Sequence, residues 1–179
     1  MFTLSHLRSY CEQNDIPLIS QATENFLWEI LQKLKPKICL EIGGAVGYSA
    51  IFTANTVAQR WGQVFSFEIS YPGYVGWLKH IRQSWLWNIT SYPWDVRSVP
   101  IKKLLPKKMD FIFIDGQKSQ YTEYMEIVEN LTTDTTLIVL DDVIKYHNKL
   151  DTLYGFLEKK QIDYKIHPLE DDDGIMVIE

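Results

Sequence analysis

Lys37-Ile38-Cys39-Leu40-Glu41-Ile42-Gly43-Gly44-Ala45-Val46-Gly47-Tyr48-Ser49, residues 37–49, reads as a short apolar strand with an acid near its end, a glycine-rich turn and a helix start. A strand feeding a helix through such a turn is the first unit of a nucleotide-type α/β sheet. Glycine lets backbone approach a ligand without a Cβ in the way, and the free N–H groups at the helix start favour a carboxylate or phosphate. The turn has no Gly-x-Gly-x-x-Gly run and no Lys-Ser/Thr pair. It therefore suits a ligand with a nucleoside and a carboxylate better than a dinucleotide or ATP.

Outward from this stretch, strands and helices alternate. Towards the amino terminus, Leu4 to Asn14 and Ser20 to Leu34 have helical spacing of apolar residues, joined by an extended Ile16-Pro17-Leu18-Ile19. Ser20 suits an N-cap, and Pro36 closes the second helix. Beyond the glycine turn, strands are expected at Val64 to Ile69, Ile89 to Tyr92, Asp110 to Asp115, Thr136 to Leu140, Tyr164 to His167 and Ile175 to Ile178. Helices are expected at Tyr48 to Gln59, from Pro72 to about Trp87, at Ser119 to Leu131 and at Leu150 to Lys160, with a short helix or turn at Ile101 to Leu105. Four strands are nearly continuous apolar runs, as buried parallel strands are. The last two, joined by an acidic turn from Glu170 to Gly174, are expected to pair antiparallel. The pattern predicts one α/β domain spanning residues 1–179, a doubly wound sheet of seven strands.

Acids fall at one end of this sheet. Glu41, Glu68, Asp115, Asp141 and Asp142 all sit at or just past the carboxyl ends of strands, the edge where open α/β sheets bind ligands. Glu68, 27 residues after Glu41, can accept hydrogen bonds from both hydroxyls of a ribose; otherwise it is a solvated strand end or helix-cap partner. Glu41 is read as holding the turn, or a water near a ligand amine. Asp95, beside Trp94, follows strand three and can border an adenine or be a plain loop acid. Asp115, Asp141 and Asp142 converge on neighbouring strand ends, repel one another and invite a cation. Their oxygen-only chemistry points to Mg²⁺ or Ca²⁺ rather than zinc. Lys118 either pairs with these carboxylates or, with a pKa lowered by a cation, serves as a base.

Composition excludes several classes. The 179 residues carry a net charge of −5, with 46% hydrophobic and 23% charged residues. That is no electrostatic footprint for general nucleic-acid binding. Cys11 and Cys39 make no disulfide framework and the four histidines have no metal-ligand spacing. No signal peptide is read at the start, and no apolar run reaches the ~20 residues of a membrane span, so a cytoplasmic protein is expected. Five of the six tryptophans fall between Trp61 and Trp94. They are expected to fill the core beneath a helix, or alternatively to form a dimer face or pocket wall. Lys102, Lys103, Lys107 and Lys108 read as a solvated basic loop.

Several motifs together resemble the cation-dependent, S-adenosylmethionine-dependent O-methyltransferases, the family of caffeoyl-CoA and catechol O-methyltransferases with a bacterial branch. Residues 41–49 are similar to the family's E-I-G-T-x-x-G-Y-S. Phe113-Ile114-Asp115-Gly116-Gln117-Lys118-Ser119-Gln120-Tyr121 is similar to F-I-D-A-x-K-x-x-Y, Leu140-Asp141-Asp142-Val143 to a D-N-V segment, and Asp173-Gly174-Ile175 to G-D-G-L. The resemblance implies a class I methyltransferase, Rossmann-like, whose last strand is antiparallel and whose residues 1–35 form helices packing on the cofactor site. It implies S-adenosylmethionine bound by Ile19, Glu41, Gly43, Gly44, Gly47, Ser49, Glu68, Asp95, Val96 and Asp115. It also implies Mg²⁺ on Asp115, Asp141 and Asp142, with Asp115 and Lys118 catalytic and Lys118 assisting deprotonation of a small hydroxyl acceptor. A homodimer fits the family. A tRNA acceptor belongs to the bacterial branch, although the net charge disfavours it.

Three departures stand out. Asp142 replaces the usual Asn, Thr23-Glu24-Asn25 replaces Glu-Gly-Gln, and the connection from Asp142 to Leu150 is too short for the family's usual substrate cap. They imply a more open site, and leave two alternatives: a metal-independent methyltransferase with a nitrogen or tRNA-base acceptor, or a non-catalytic cofactor-binding module.

Overall fold

The computed structural model describes residues 3–169 and 173–179. Two helices open the chain. α1 (Leu4–Gln13) is capped by Thr3, whose hydroxyl accepts the His6 N–H at 3.2 Å. α2 (Gln21–Leu34) is capped by Ser20, which accepts the Thr23 N–H at 2.9 Å, and ends on Lys35 in the left-handed conformation. The alternation follows: β1 (Ile38–Ile42), α3 (Tyr48–Ala58), β2 (Gln63–Phe67), α4 (Tyr71–Ser84), β3 (Ile89–Tyr92), α5 (Ile101–Leu104), β4 (Phe111–Ile114), α6 (Tyr121–Val128), β5 (Leu137–Leu140), α7 (Asp151–Lys160), β6 (Lys165–Pro168) and β7 (Gly174–Ile178).

The seven strands form one sheet in the order β3-β2-β1-β4-β5-β7-β6. All pairs are parallel except those of β7, which runs antiparallel to both β5 and β6. β6 therefore points the same way as the first five strands, and β7 alone is reversed. The expected Glu170–Gly174 turn lies largely outside the described residues. The chain reverses its sideways progression between β1 and β4, the switch point where an open α/β sheet leaves a crevice.

The strand pattern explains the layers. Leu40 and Ile42 of β1, with Ile112 and Ile114 of β4, pack one core with α6 and α7 residues such as Met125 and Leu153. Cys39 of β1, with Phe111 and Phe113 of β4, packs the other with Leu27, Leu31, Ala54 and Trp77 from α2, α3 and α4. Both faces are covered, so these strands carry apolar residues on both sides. Cys11 and Cys39 are buried free thiols.

The tryptophans overturn their expected place in the core. Trp77 alone of the five is buried; Trp61, Trp85, Trp87 and Trp94 are exposed, Trp85 at 91%. Trp61 and Trp85 both adopt positive φ, where short helices and turns end. These four lie in the connections after α3, α4 and β3, because α4 ends at Ser84 rather than near Trp87, and helical spacing does not bear on their burial.

Candidate functional site

A cavity of about 980 Å³ lies along the carboxyl ends of the strands, over the switch point. Gly43 and Ala45 of the glycine turn line it. Gly43 has φ of 100°, and a Cβ there would overlap the Asp115 carbonyl of the neighbouring strand end. Gly47 has φ of 89°, and a Cβ there would overlap the Trp77 indole. The turn is thus pressed between β4 and α4, at a density that only glycine permits.

The expected cofactor residues divide into two groups. Ile19, Gly43, Glu68, Asp95, Val96 and Asp115 line the cavity, whereas Glu41, Gly44, Gly47 and Ser49 lie behind its wall. Glu41 is buried. Its carboxylate accepts a short hydrogen bond from Ser66 Oγ, while its second oxygen has no partner among the described residues. Burial raises its pKa to about 7, helped by the charges of Asp115 and Glu68 and opposed by the Ser49 and Ser66 hydroxyls nearby. Glu68 turns towards the turn: one oxygen accepts the Ala45 N–H at 2.6 Å and the other accepts the Ser70 N–H. Each oxygen keeps a further acceptor position. Asp95 accepts two guanidinium N–H groups of Arg97, whose hydrogen bonds hold its pKa below the usual range.

On the other side, Asp115, Asp141, Asp142 and Lys118 all line the cavity. Lys118 Nζ lies 2.6 Å from Asp115 Oδ1 and 3.0 Å from Asp142 Oδ2. The Tyr121 hydroxyl accepts a third hydrogen bond from it at 3.0 Å, and itself lies 3.1 Å from the Ile114 carbonyl and 3.0 Å from that of Asp141. This explains the Asp-Lys-Tyr spacing: the buried tyrosine ties the lysine to two strand ends. Burial depresses the Lys118 pKa, but Asp115 and Asp142 outweigh it and the net shift is upward. Among these carboxylates Lys118 is held as a cation, and the lowered pKa expected of a base requires a divalent cation beside it.

The acidic charge remains in surplus. Burial, then the neighbouring carboxylates, raises Asp141 well above the usual range, and Asp115 is raised chiefly by burial despite Lys118. Asp173, given no role from the sequence, joins them. Thr23 Oγ1 lies 3.1 Å from Asp173 Oδ2 and 3.4 Å from Asp141 Oδ1, linking α2 to the ends of β5 and β7. The oxygen-only donors and excess negative charge fit a hard cation in kind. The arrangement is not a finished cage, because the Lys118 ammonium stands between Asp115 and Asp142. Among the described residues no three acidic, histidine or cysteine groups form a metal-holding cluster.

Sequence reasoning also missed the clamp on the segment before α2. Arg8 Nη1 donates to the Ile19 carbonyl at 3.2 Å, Nη2 to Glu24 at 2.7 Å and Nε to the Tyr48 hydroxyl at 3.1 Å. Tyr48 also donates a short hydrogen bond to Glu24. One guanidinium thus joins α1, α2, the start of α3 and a stretch of cavity wall. Nothing local in the sequence pairs residues so far apart.

A family model described as O-methyltransferase matches residues 1–152. A catechol O-methyltransferase of Niastella koreensis is 30% identical over 140 residues, which are 74% of this chain and 61% of that protein. The chain thus spans less than two thirds of that curated relative. Among solved structures, a Staphylococcus aureus protein provisionally assigned as a caffeoyl-CoA O-methyltransferase superposes with a TM-score of 0.86, at 18% identity, covering 100% of this chain and 93% of its own. An O-methyltransferase from Bacillus cereus in complex with SAH gives a TM-score of 0.78 at 20% identity, covering 98% and 89%. The fold is that of these enzymes, and the match over residues 1–152 takes in the glycine turn and the strand-end acids: the chain belongs to the O-methyltransferase family.

Proposed function

We propose that this chain transfers the sulfonium methyl of S-adenosylmethionine to a hydroxyl oxygen of a small molecule. The observation that carries the reading is one cavity with a glycine turn and Glu68 at one end and a lysine held between carboxylates at the other. Family membership supports it. The first end suits a nucleoside with an amino-acid tail, and the second a hydroxyl that must lose a proton. In the transfer, the methyl–sulfur bond breaks, the oxygen–methyl bond forms and sulfur departs as a neutral thioether with the bonding pair.

The chain's own residues prepare that step. The Lys118 ammonium offers a charge-assisted donor to the oxygen as negative charge grows on it. The carboxylates around it are the groups available to take the hydroxyl proton. Gly43 and Ile19 border the cofactor space, and position supplies a large part of the rate. A hard divalent cation would be held by Asp115, Asp141 and Asp142, where it would lower the hydroxyl's pKa and orient it. For that, Lys118 must swing from between Asp115 and Asp142 towards the acceptor.

Titration calorimetry with S-adenosylmethionine, followed by turnover on catechol with and without EDTA, tests the proposal. Cofactor binding in the micromolar range and methyl transfer are expected, with EDTA abolishing turnover and Mg²⁺ restoring it. Absence of binding at millimolar cofactor sinks the enzyme reading. Turnover indifferent to EDTA removes the cation and leaves the lysine.

A further inference from the structure

The edge of the sheet opposite the cavity carries a strip of exposed indoles and cations. β3, β2, β1 and β4 are parallel neighbours, so the connections that feed them lie side by side at their amino ends. Trp85-Leu86-Trp87 leads into β3, Arg60-Trp61 into β2, Lys35-Pro36-Lys37 into β1 and Lys107-Lys108 into β4. Contacts tie these connections together. The Trp61 and Trp87 ring centroids are 5.5 Å apart, Asn88 Nδ2 donates to the Gly62 carbonyl at 2.8 Å, and Lys37 Nζ donates to the Arg60 carbonyl. Trp61 is 75% exposed, Trp85 91% and Trp87 56%. Trp61 and Trp85 have φ of 60° and 59°, a conformation costly for a bulky side chain and easy for glycine. Both indoles thus project from the tips of turns that do not favour them.

Charge on this half of the edge is one-sided. Lys33 and Arg82, in the last turns of the helices that lead into it, join Lys35, Lys37, Lys107 and Lys108, and all are exposed. Among the described residues none of them forms an ion pair with a carboxylate, including Lys33 with Glu29 one turn up α2. Asp110, at the foot of β4, accepts the Lys37 and Ile38 N–H groups at 2.7 and 2.9 Å. Asp134, Asp163 and Glu179 stand under β5, β6 and β7, the other half of the sheet. A chain with a net charge of −5 therefore presents one cationic corner, and its exposed tryptophans lie beside it.

Exposed indoles among unpaired cations match the interfacial zone of an anionic bilayer, where tryptophan settles at the headgroup level and Lys and Arg meet lipid phosphates. Other covers fit less well. The Trp61–Trp87 pair is tilted at 53°, so it offers no flat platform for stacked nucleic-acid bases. A second copy seated on the same face would set cations against cations. We propose that this edge is a membrane-surface docking face: Trp61, Trp85 and Trp87 enter the headgroup layer of an anionic bilayer, and the flanking lysines and Arg82 hold its phosphates. Among the described residues no helix is long and apolar enough to cross a membrane, so the chain lies on the surface rather than spanning it. The cavity, at the carboxyl ends of the strands, faces away from the lipid. The proposal is independent of the methyltransferase reading.

The test is sedimentation of the full chain with vesicles of phosphatidylcholine alone and of phosphatidylcholine mixed with phosphatidylglycerol. Binding to the anionic vesicles is expected to be tighter by about tenfold or more, and to weaken as salt is added. Trp61→Gly/Trp85→Gly should weaken it by about tenfold or more without lowering Tm, because glycine takes both turns with less strain. Lys107→Glu/Lys108→Glu should weaken binding to the anionic vesicles by a similar factor, and decides the matter if the tryptophan variant melts early. SAH affinity should not change in either variant, since none of these residues lines the cavity. Absence of binding to anionic vesicles, equal binding to both kinds, or undiminished binding in either folded variant overturns the proposal. So does self-association, or retention of polyuridylate, that the tryptophan variant abolishes, since the face then belongs to a second copy or to a single strand. Failure of SAH to bind bears on the methyltransferase reading alone.

Discussion

The two ends of the cavity are built on opposite terms. The glycine turn is held by backbone and close packing: Gly43 against Asp115, Gly47 against Trp77, Glu68 holding the Ala45 N–H. At the ends of β4 and β5, carboxylates are buried together with one lysine, and charge is left over. The first end gains stability from its tight fit. The second is strained electrostatically, which is the condition of a site arranged for chemistry rather than for folding. Substitutions at the first end should therefore cost stability and cofactor affinity, and at the second end chiefly activity.

The largest effect is expected from Gly47→Ala. The new Cβ overlaps a buried indole and must adopt φ of 89°, at a cost of about 3 kcal/mol or more. That corresponds to a fall in Tm of roughly 6–12 °C, with cofactor binding lost. A variant with unchanged melting would break the comparison at its first end. At the second end, Lys118→Met should lower kcat by about 10²–10³, the usual loss when a preorganised charge-stabilising donor is removed. Its Tm should fall far less than that of the glycine variant, because the side chain serves the acids around it rather than the core.

Arg8→Ala tests how the first end is held closed. Arg8 binds the Ile19 carbonyl, Glu24 and Tyr48 without lining the cavity. It is a positioning residue. The KM for S-adenosylmethionine should rise about five- to tenfold with kcat little changed, since one or two charge-assisted bonds are lost. Recovery of affinity on adding guanidinium would separate this role from general damage. A fall in kcat at saturating cofactor would refute it.

The smallest expected effect sharpens the boundary between the two ends. Glu41 lies behind both, with its pKa raised from the usual 4.5 to about 7. The folded protein therefore binds this proton more tightly than the unfolded chain. Stability from this group declines as pH rises from about 4.5 towards 7. In Glu41→Gln the dependence of Tm on pH across this window should flatten. It should not vanish, because Asp115 and Asp141 are shifted in the same direction. An unaltered slope would show that the strain is confined to the acceptor end.

The strand and helix order, the glycine turn and the placing of acids at strand ends were legible in the sequence. Each depends on local properties: a run of apolar residues, a residue able to take positive φ, an acid following a strand. Resemblance to the O-methyltransferases could be read from the same motifs for that reason. Tertiary structure alone decided the rest. Lys118 became a held cation because two carboxylates from different strands approach within 3.0 Å. Thr23 and Asp173, 150 residues apart, meet over Asp141. Four tryptophans stayed outside because they fall in the connections after α3, α4 and β3, not on a face packed against the sheet. Periodicity fixes an element and its apolar stripe, while burial, charge and protonation depend on distances between residues remote in the chain.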